Sequence, residues 1–470
     1  MSSTDMNRRR FLGQLSCAAV TATPIISTLL NLDMAKAAAA TNIDMMNATG
    51  NDYRALVCVM LAGGNDSFNM LVPRGVSEHA AYSTTRSNLA LARNSLLQLT
   101  DSPNTPSLGL HSGMPELAAL YNSGEAAFVA NVGTLVEPTT LSAFENGSAR
   151  LPLGLFSHSD QIMHWQTSVP DSRSANGWGG RVADILNSTN SNPRISMNIS
   201  LAGTNVFQSG QQAVSYDITP SGNGSIQPVD FPEFSPAIAA INKTSVRSLL
   251  DAQYQNVFQQ TFGETTAGAI DASKEFADAI AQQTLTTVFS PSELSQAFQM
   301  IARTVAARET LGMRRQTFFV LMGGYDHHDE LLNAHAAMLP VVSKALGEFN
   351  TAMKELKVHD KVTTFTTSDF ARTLTSNGRG TDHAWGGNQI VMGGAVNGGL
   401  IYGQYPDLAL GTSLDTGRGR LIPTLSTDEY FAELAQWFGA SSNQLNDIFP
   451  NLDRFYNIGG EPPVGFMNLS

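Results

Sequence analysis

The apolar run Phe318-Phe319-Val320-Leu321-Met322 stops at Gly323-Gly324-Tyr325 and is followed at once by Asp326-His327-His328-Asp329. Carboxylates and imidazoles without thiolates suit a divalent cation in an open site; zinc is favoured, and manganese or iron suit the same donors. An all-oxygen set would instead suit calcium or magnesium. Asp326 and His328 are the firmest ligand candidates, because near neighbours in a tight loop can fold onto one ion, while His327 can face the other way and pack. Acid and histidine clusters also serve as hydrogen-bonded staples within loops, and for this cluster alone both readings stand. Three further loops carry the same residue types: Gly63-Gly64-Asn65-Asp66-Ser67, Ser368-Asp369-Phe370-Ala371-Arg372 and Gly380-Thr381-Asp382-His383. Asp66, Asp369 and His383 thereby join the candidate ligands. Asp382 reads either as the partner that orients His383 or as a turn cap.

These loops need a scaffold that brings them together. An unbroken β-favouring run reads as a strand buried on both faces, the usual state of parallel strands in α/β proteins. In open sheets of that kind ligands sit beyond the carboxyl ends of the strands. Segments 54–62 and 361–367 have the same character as 318–322, and each leads into one of the loops above. A short helix over 117–121 and a strand over 126–133 predict a parallel βαβ unit with the first strand. A long helix over 331–356, kinked at Pro340, leads to the strand before Asp369, and a strand over 388–394 is expected to complete a further βαβ pattern. A final helix over 427–438 covers one face. The fold class is therefore α/β with a mainly parallel central sheet and one insertion, 187–313. The first part of that insertion, to about Pro236, is loop-rich and reads as a lid or edge. The second is helical, with Val246, Leu249, Leu250, Tyr254 and Val257 on one expected core face and Leu294, Phe298, Ile301, Ala302 and Val305 on another. Ser290-Pro291-Ser292-Glu293 is a helix start.

Between Phe156 and Arg181 the chain is dense in polar and aromatic residues, including His158, Asp160, His164, Trp165, Trp178 and Arg181. This segment reads as the wall of a cleft, with a buried structural loop as the alternative, and the two tryptophans raise a carbohydrate-binding role. His79, His335 and His359 lie in polar or helical contexts and are expected at the solvated surface.

The 470 residues carry a net charge of −12 with a pI near 5.2, which argues against a nucleic-acid partner. Arg8-Arg9-Arg10-Phe11-Leu12, an apolar middle and Ala37-Ala38-Ala39-Ala40 form the three parts of an export signal. Residues 1–40 are expected to be a twin-arginine signal peptide read by the twin-arginine translocase. The mature chain 41–470 would be one periplasmic or secreted domain without a stable membrane anchor. Cys17 lies in the signal, which leaves Cys58 alone in the mature chain, mid-strand and expected to be inert packing.

Taken together, the twin-arginine start and the motifs Ala62-Gly63-Gly64-Asn65-Asp66, Phe156-Ser157-His158-Ser159-Asp160, Gly323-Gly324-Tyr325-Asp326-His327-His328, Ser368-Asp369-Phe370-Ala371-Arg372 and Gly380-Thr381-Asp382-His383 resemble an exported bacterial family of unknown function. That family is grouped with the alkaline phosphatase and sulfatase superfamily, and the resemblance spans nearly the whole chain. It implies a three-layer α/β/α sandwich with a metal cluster at the strand ends and a hydroxyl nucleophile that attacks phosphorus or sulfur. By that likeness Asp66 is the ligand after the first strand, Asp326 and His328 those after the middle one, Asp369 the next and His383 the last. Ser67 and Ser157 are the nucleophile candidates, and Arg372 or Arg181 would clamp a small anionic ester or glycan substrate. Phe370 stands where superfamily enzymes carry a histidine, and the local motif by which sulfatases provide a modified Cys or Ser is absent. These departures favour a second hypothesis, a non-catalytic exported binding or assembly protein with a degenerate metal site.

Overall fold

The computed structural model describes residues 52–225 and 236–469, so the export segment expected over residues 1–40 lies outside the described residues. Twelve strands occur among them: β1 (Arg54–Leu61), β2 (Leu71–Pro73), β3 (Leu97–Gln98), β4 (Leu108–Leu110), β5 (Ala126–Gly133), β6 (Asn198–Ser200), β7 (Tyr216–Asp217), β8 (Arg315–Met322), β9 (Val362–Ser368), β10 (Gly387–Met392), β11 (Ile401–Gly403) and β12 (Leu425–Ser426). Nine form one sheet in the order β11-β5-β10-β9-β1-β8-β6-β7, with β12 also on β5, and β2, β4 and β3 form a small separate sheet.

The centre of the large sheet is parallel. β1 runs between β8 and β9 with Leu61 level with both Met322 and Ser368, so the three loops that follow start at the same height. Alternation along β1 feeds two cores. Ala55, Val57 and Val59 pack with the helices Pro115–Asn122, Glu293–Ala306 and Leu331–Glu355, whereas Leu56, Cys58 and Met60 pack with Trp178–Leu186 and Thr427–Phe438. One sheet with a helical layer and its own core on each face is a three-layer α/β/α arrangement. Cys58 is buried and its thiol is pushed up to about 12 by burial, which leaves it protonated and unreactive. Among the described residues no helix is long and apolar enough to cross a membrane.

Three expectations need correction. β10 is antiparallel to both β9 and β5, so it does not complete a parallel βαβ unit. β5 shares the direction of β1, yet β9 and β10 stand between them. In the insertion, the Glu293–Ala306 stripe is core, but the earlier stripe is not: Leu249 is 52% and Val257 73% exposed. The helices Pro236–Leu250 and Val257–Ala281 pack on each other, and one side of that pair has no cover among the described residues. β6 and β7, from the loop-rich first part, extend the sheet edge beside β8.

Candidate metal centre

Asp326 follows β8 by a Gly-Gly turn and its Oδ1 is the focus of the site. His328 Nε2 lies 3.1 Å from that oxygen, His158 Nε2 3.3 Å and His383 Nε2 3.5 Å. The donor atoms of His158, Asp326 and His383 all fall within 4.8 Å of one another. His328 stands beside them, its Nε2 2.9 Å from His383 Nε2. The four come from the first turn of the helix His158–Thr167, the loop after β8, and the loop that precedes β10.

What fixes the imidazoles is a set of oxygen acceptors on the opposite ring nitrogen. His158 Nδ1 lies 2.6 Å from Asp369 Oδ2, His383 Nδ1 2.7 Å from the Phe156 carbonyl and His328 Nδ1 3.1 Å from Asp382 Oδ1. Carbonyl and carboxylate oxygens only accept, so each Nδ1 carries the proton and donates it. In a neutral ring held this way Nε2 presents a lone pair toward Asp326. Two such lone pairs 2.9 Å apart repel unless a cation lies between them. His158 Nε2 is also buried without a hydrogen-bond partner among the described residues. Imidazole nitrogens plus one carboxylate oxygen, each imidazole held from behind by an oxygen, fit a divalent ion of the zinc type.

The electrostatics favour an anionic carboxylate at Asp326. Burial pushes the Asp326 carboxyl up, but the hydrogen bond and charge of Arg372 and the nearby His158 and His328 outweigh it, and the net direction is down. Burial holds His383 below its usual range; its bond to the Phe156 carbonyl opposes this and His158 reinforces it. The side chains of Asp326 and His328 are 48% and 45% exposed, so the cluster opens to solvent.

Several expected members take other places. Asp66 is fully buried in an ion pair with Arg86, and its Oδ1 caps the turn Ser67–Met70 by accepting from Asn69 N. Arg86 in turn donates to the Thr373 carbonyl, so the pair ties two loops together. Asp369 joins the cluster from behind, between His158 Nδ1 and Gly63 N, which donates to its Oδ1 at 3.0 Å. Asp382 orients His328 where His383 was expected, and its other oxygen meets Arg418 at 2.7 Å. His158, read from sequence as cleft wall, stands within the donor group. Arg372 is fully buried with Nη2 2.8 Å from Asp326 Oδ1, so this nitrogen holds the carboxylate. Arg181 uses all three nitrogens on backbone carbonyls, those of Ile448, Asn176 and Thr167, and so is held as a structural tie away from the donor cluster.

Ser67 Oγ is buried and accepts from Asn388 N at 2.9 Å, and Ser157 Oγ pairs with Ser159 Oγ at 3.1 Å. His327 is buried against the rings of Tyr325 and His335. His335 is also buried, contrary to the expected surface position, because its helix faces the loop after β8. Asp160 pairs with Arg173 at 3.3 Å, outside the cluster. Trp165 and Trp178 do not form a cleft wall. Trp178 stacks on Phe431 at 4.8 Å and Trp165 meets the same ring edge-on, since both helices turn these faces to the sheet. The Phe156 carbonyl, a backbone group, left no trace in the sequence.

The chain matches the family described as Protein of unknown function (DUF1501) over residues 53–417 and belongs to that family. No functionally curated protein matches it. Among solved structures it is similar to Ps i-CgsB in complex with k-i-k-neocarrahexaose, at 10% identity over 88% of this chain and 76% of that one, with a TM-score of 0.34. It is similar to the soluble domain of lipooligosaccharide phosphoethanolamine transferase A from Neisseria meningitidis, at 10% identity over 83% and 88%, TM-score 0.32. A protein in the alkaline phosphatase superfamily from Vibrio parahaemolyticus is similar at 11% identity over 78% and 68%, TM-score 0.27.

Proposed function

We propose that this family member is an exported, metal-dependent hydrolase or transferase for small anionic esters of phosphoric or sulfuric acid, with one divalent ion held by His158, Asp326 and His383. The observation that carries it is the convergence of imidazole Nε2 lone pairs on one solvent-open carboxylate oxygen, each ring anchored at Nδ1. His328 serves as a fourth donor on the open side. The nitrogen-rich set favours zinc over manganese, calcium or magnesium. When bound, the ion supplies Lewis-acid stabilisation of a phosphoryl or sulfuryl oxygen. Arg372 Nη2 keeps Asp326 ionised and aimed, and Asp369, Asp382 and the Phe156 carbonyl keep the Nδ1 protons away from the site. Hydrolysis of aryl phosphate and aryl sulfate panels by the zinc-loaded protein, compared with Asp326→Ala, tests the reading. Turnover that requires both zinc and Asp326 supports it.

A second reading is a non-catalytic binding or assembly protein that retains the cation. What favours it is that both serine candidates have hydrogen-bond partners outside the donor group: Ser67 is engaged by Asn388 and Ser157 by Ser159. Zinc binding with no turnover on any ester in those panels leaves this second reading in place.

Export rests on Arg8-Arg9-Arg10-Phe11-Leu12. In this reading residues 41–470 form one mature domain, with 187–313 as its insertion. Arg8→Lys with Arg9→Lys should retain the protein inside the cell, and fractionation reads the outcome.

A further inference from the structure

The hydrogen bond at Nδ1 fixes one corner of an imidazole and leaves the ring able to swing about it. A second contact on the ring face is needed to set where Nε2 points. For His158 and His383 that contact is the same side chain, Phe370. Its ring centre lies 4.7 Å from that of His158, tilted by 44°, and 4.5 Å from that of His383, nearly stacked at 30°. The two imidazoles meet each other edge-on at 4.4 Å, so the three rings form a closed set. Phe370 is buried.

The place Phe370 occupies exists because residue 64 is glycine. A Cβ on Gly64 would lie 2.6 and 2.7 Å from two ring carbons of Phe370, and φ of +83° at Gly64 disfavours any other residue. Gly63 works toward the same end. A Cβ there would meet the Asp326 backbone nitrogen at 2.5 Å, and its own N–H holds Asp369. The two glycines after β1 thus admit the Asp326 backbone and the Phe370 ring and anchor the carboxylate behind His158.

We infer that Phe370, seated on Gly64, is a positioning residue that sets the ring planes of His158 and His383 and through them the affinity for the ion. This rests on the reading that His158, Asp326 and His383 hold a cation.

The test titrates Zn²⁺ by calorimetry and Co²⁺ by visible absorption into the metal-free mature chain. Phe370→Leu keeps apolar volume but removes the flat face, and should weaken zinc binding by roughly 10–100-fold while altering the Co²⁺ ligand-field bands. Phe370→Tyr keeps the face and should retain affinity and spectrum. Gly64→Ala displaces the ring without changing it and should follow Phe370→Leu; it decides the question if Phe370→Leu fails to fold. A purely structural Phe370 would lower the metal-free melting temperature and leave affinity and spectrum untouched, which overturns the inference. His383→Ala separates the two levels: wild-type binding there removes the cation reading itself. Loss of binding in His383→Ala beside wild-type binding in the Phe370 and Gly64 variants removes only the positioning role.

Discussion

The two ends of β1 and β8 carry similar charged groups in opposite states of satisfaction. At the amino end Arg54 and Arg315 are register neighbours, and two guanidiniums side by side repel. Arg315 answers with a full set of partners: Nε donates to the Phe438 carbonyl, Nη1 to the carbonyls of Asp52 and Arg314, and Nη2 to Asp52 Oδ2. At the carboxyl end Arg372 is as buried, yet its Nε and Nη1 have no hydrogen-bond partner among the described residues, and the same holds for His158 Nε2 and for both ring nitrogens of His335. Buried polar groups are nearly always paired, so an arginine whose every nitrogen is met is structural, and a cluster with surplus donors and lone pairs has room for something further to bind. Residue type does not separate Arg315 from Arg372; hydrogen-bond completeness does.

The sharpest way to break that contrast is to cross the ends. His383→Ala should abolish zinc binding, with affinity down by more than about 100-fold, and leave the metal-free melt near wild type. Arg315→Ala should do the reverse, costing about 1–3 kcal/mol of stability from lost charged hydrogen bonds with zinc affinity unchanged. Calorimetric titration and denaturant melts on the same samples read both. If Arg315→Ala weakens zinc as much as His383→Ala, the two ends are not distinct.

Asp369→Asn sharpens the contrast within the site. The carboxylate behind His158 should be worth roughly 10–100-fold in zinc affinity, measured by competition with a chelating dye.

A pH series probes the unsatisfied layer beneath. Burial holds His335 well below its usual range, and His111 and His327 lie below theirs for the same first cause. Above about pH 6.5 the imidazole is mostly neutral in both folded and unfolded chains, and His335 contributes almost no pH dependence. As pH falls below that value the unfolded chain takes up the proton and the folded one does not, so stability declines by about 1.4 kcal/mol per pH unit for this one group. His335→Phe should flatten the metal-free melting curve between pH 6.5 and 5 by about that slope. An unchanged slope would mean that His335 is protonated in the fold.

The smallest effect belongs to the closed end. Arg54, part exposed, meets Asp52 at 3.9 Å, donates to the Trp437 carbonyl and lies over the Trp437 ring, and Arg54→Ala should cost about 1 kcal/mol, with zinc affinity unaltered.

How much of this was legible in the sequence varies with the kind of signal. β1 and β8 could be read from their apolar runs and β9 from its β-branched Val and Thr residues, and each is followed by a loop that carries an Asp. That Asp326, His328 and His383 meet followed from those loops sharing one sheet edge. Asp66 misled because an acid at the end of a strand can equally cap the next turn, and its partner Arg86 carried no mark of the pairing. The stripe through Leu249 and Val257 misled for a related reason: helical periodicity reports a face, and only tertiary packing decides whether that face is covered. Trp165 and Trp178 sat in a polar segment, and the inward turn of their helices was invisible without the sheet they pack on. Orientation of β10 was likewise beyond reach, since a buried strand has the same composition in either direction.

The central position of β1 has a consequence for how the chain is made. Its register partners on either side begin at Arg315 and Val362, which means that the first long strand to leave the ribosome waits for the last third of the polypeptide. At about 5–20 residues per second that interval lasts roughly tens of seconds, during which Ala55-Leu56-Val57-Cys58-Val59-Met60-Leu61 has both apolar faces and both hydrogen-bonding edges bare. A nascent chain of this order calls for a holding chaperone during synthesis, and a truncation before residue 362 should aggregate where the full chain need not.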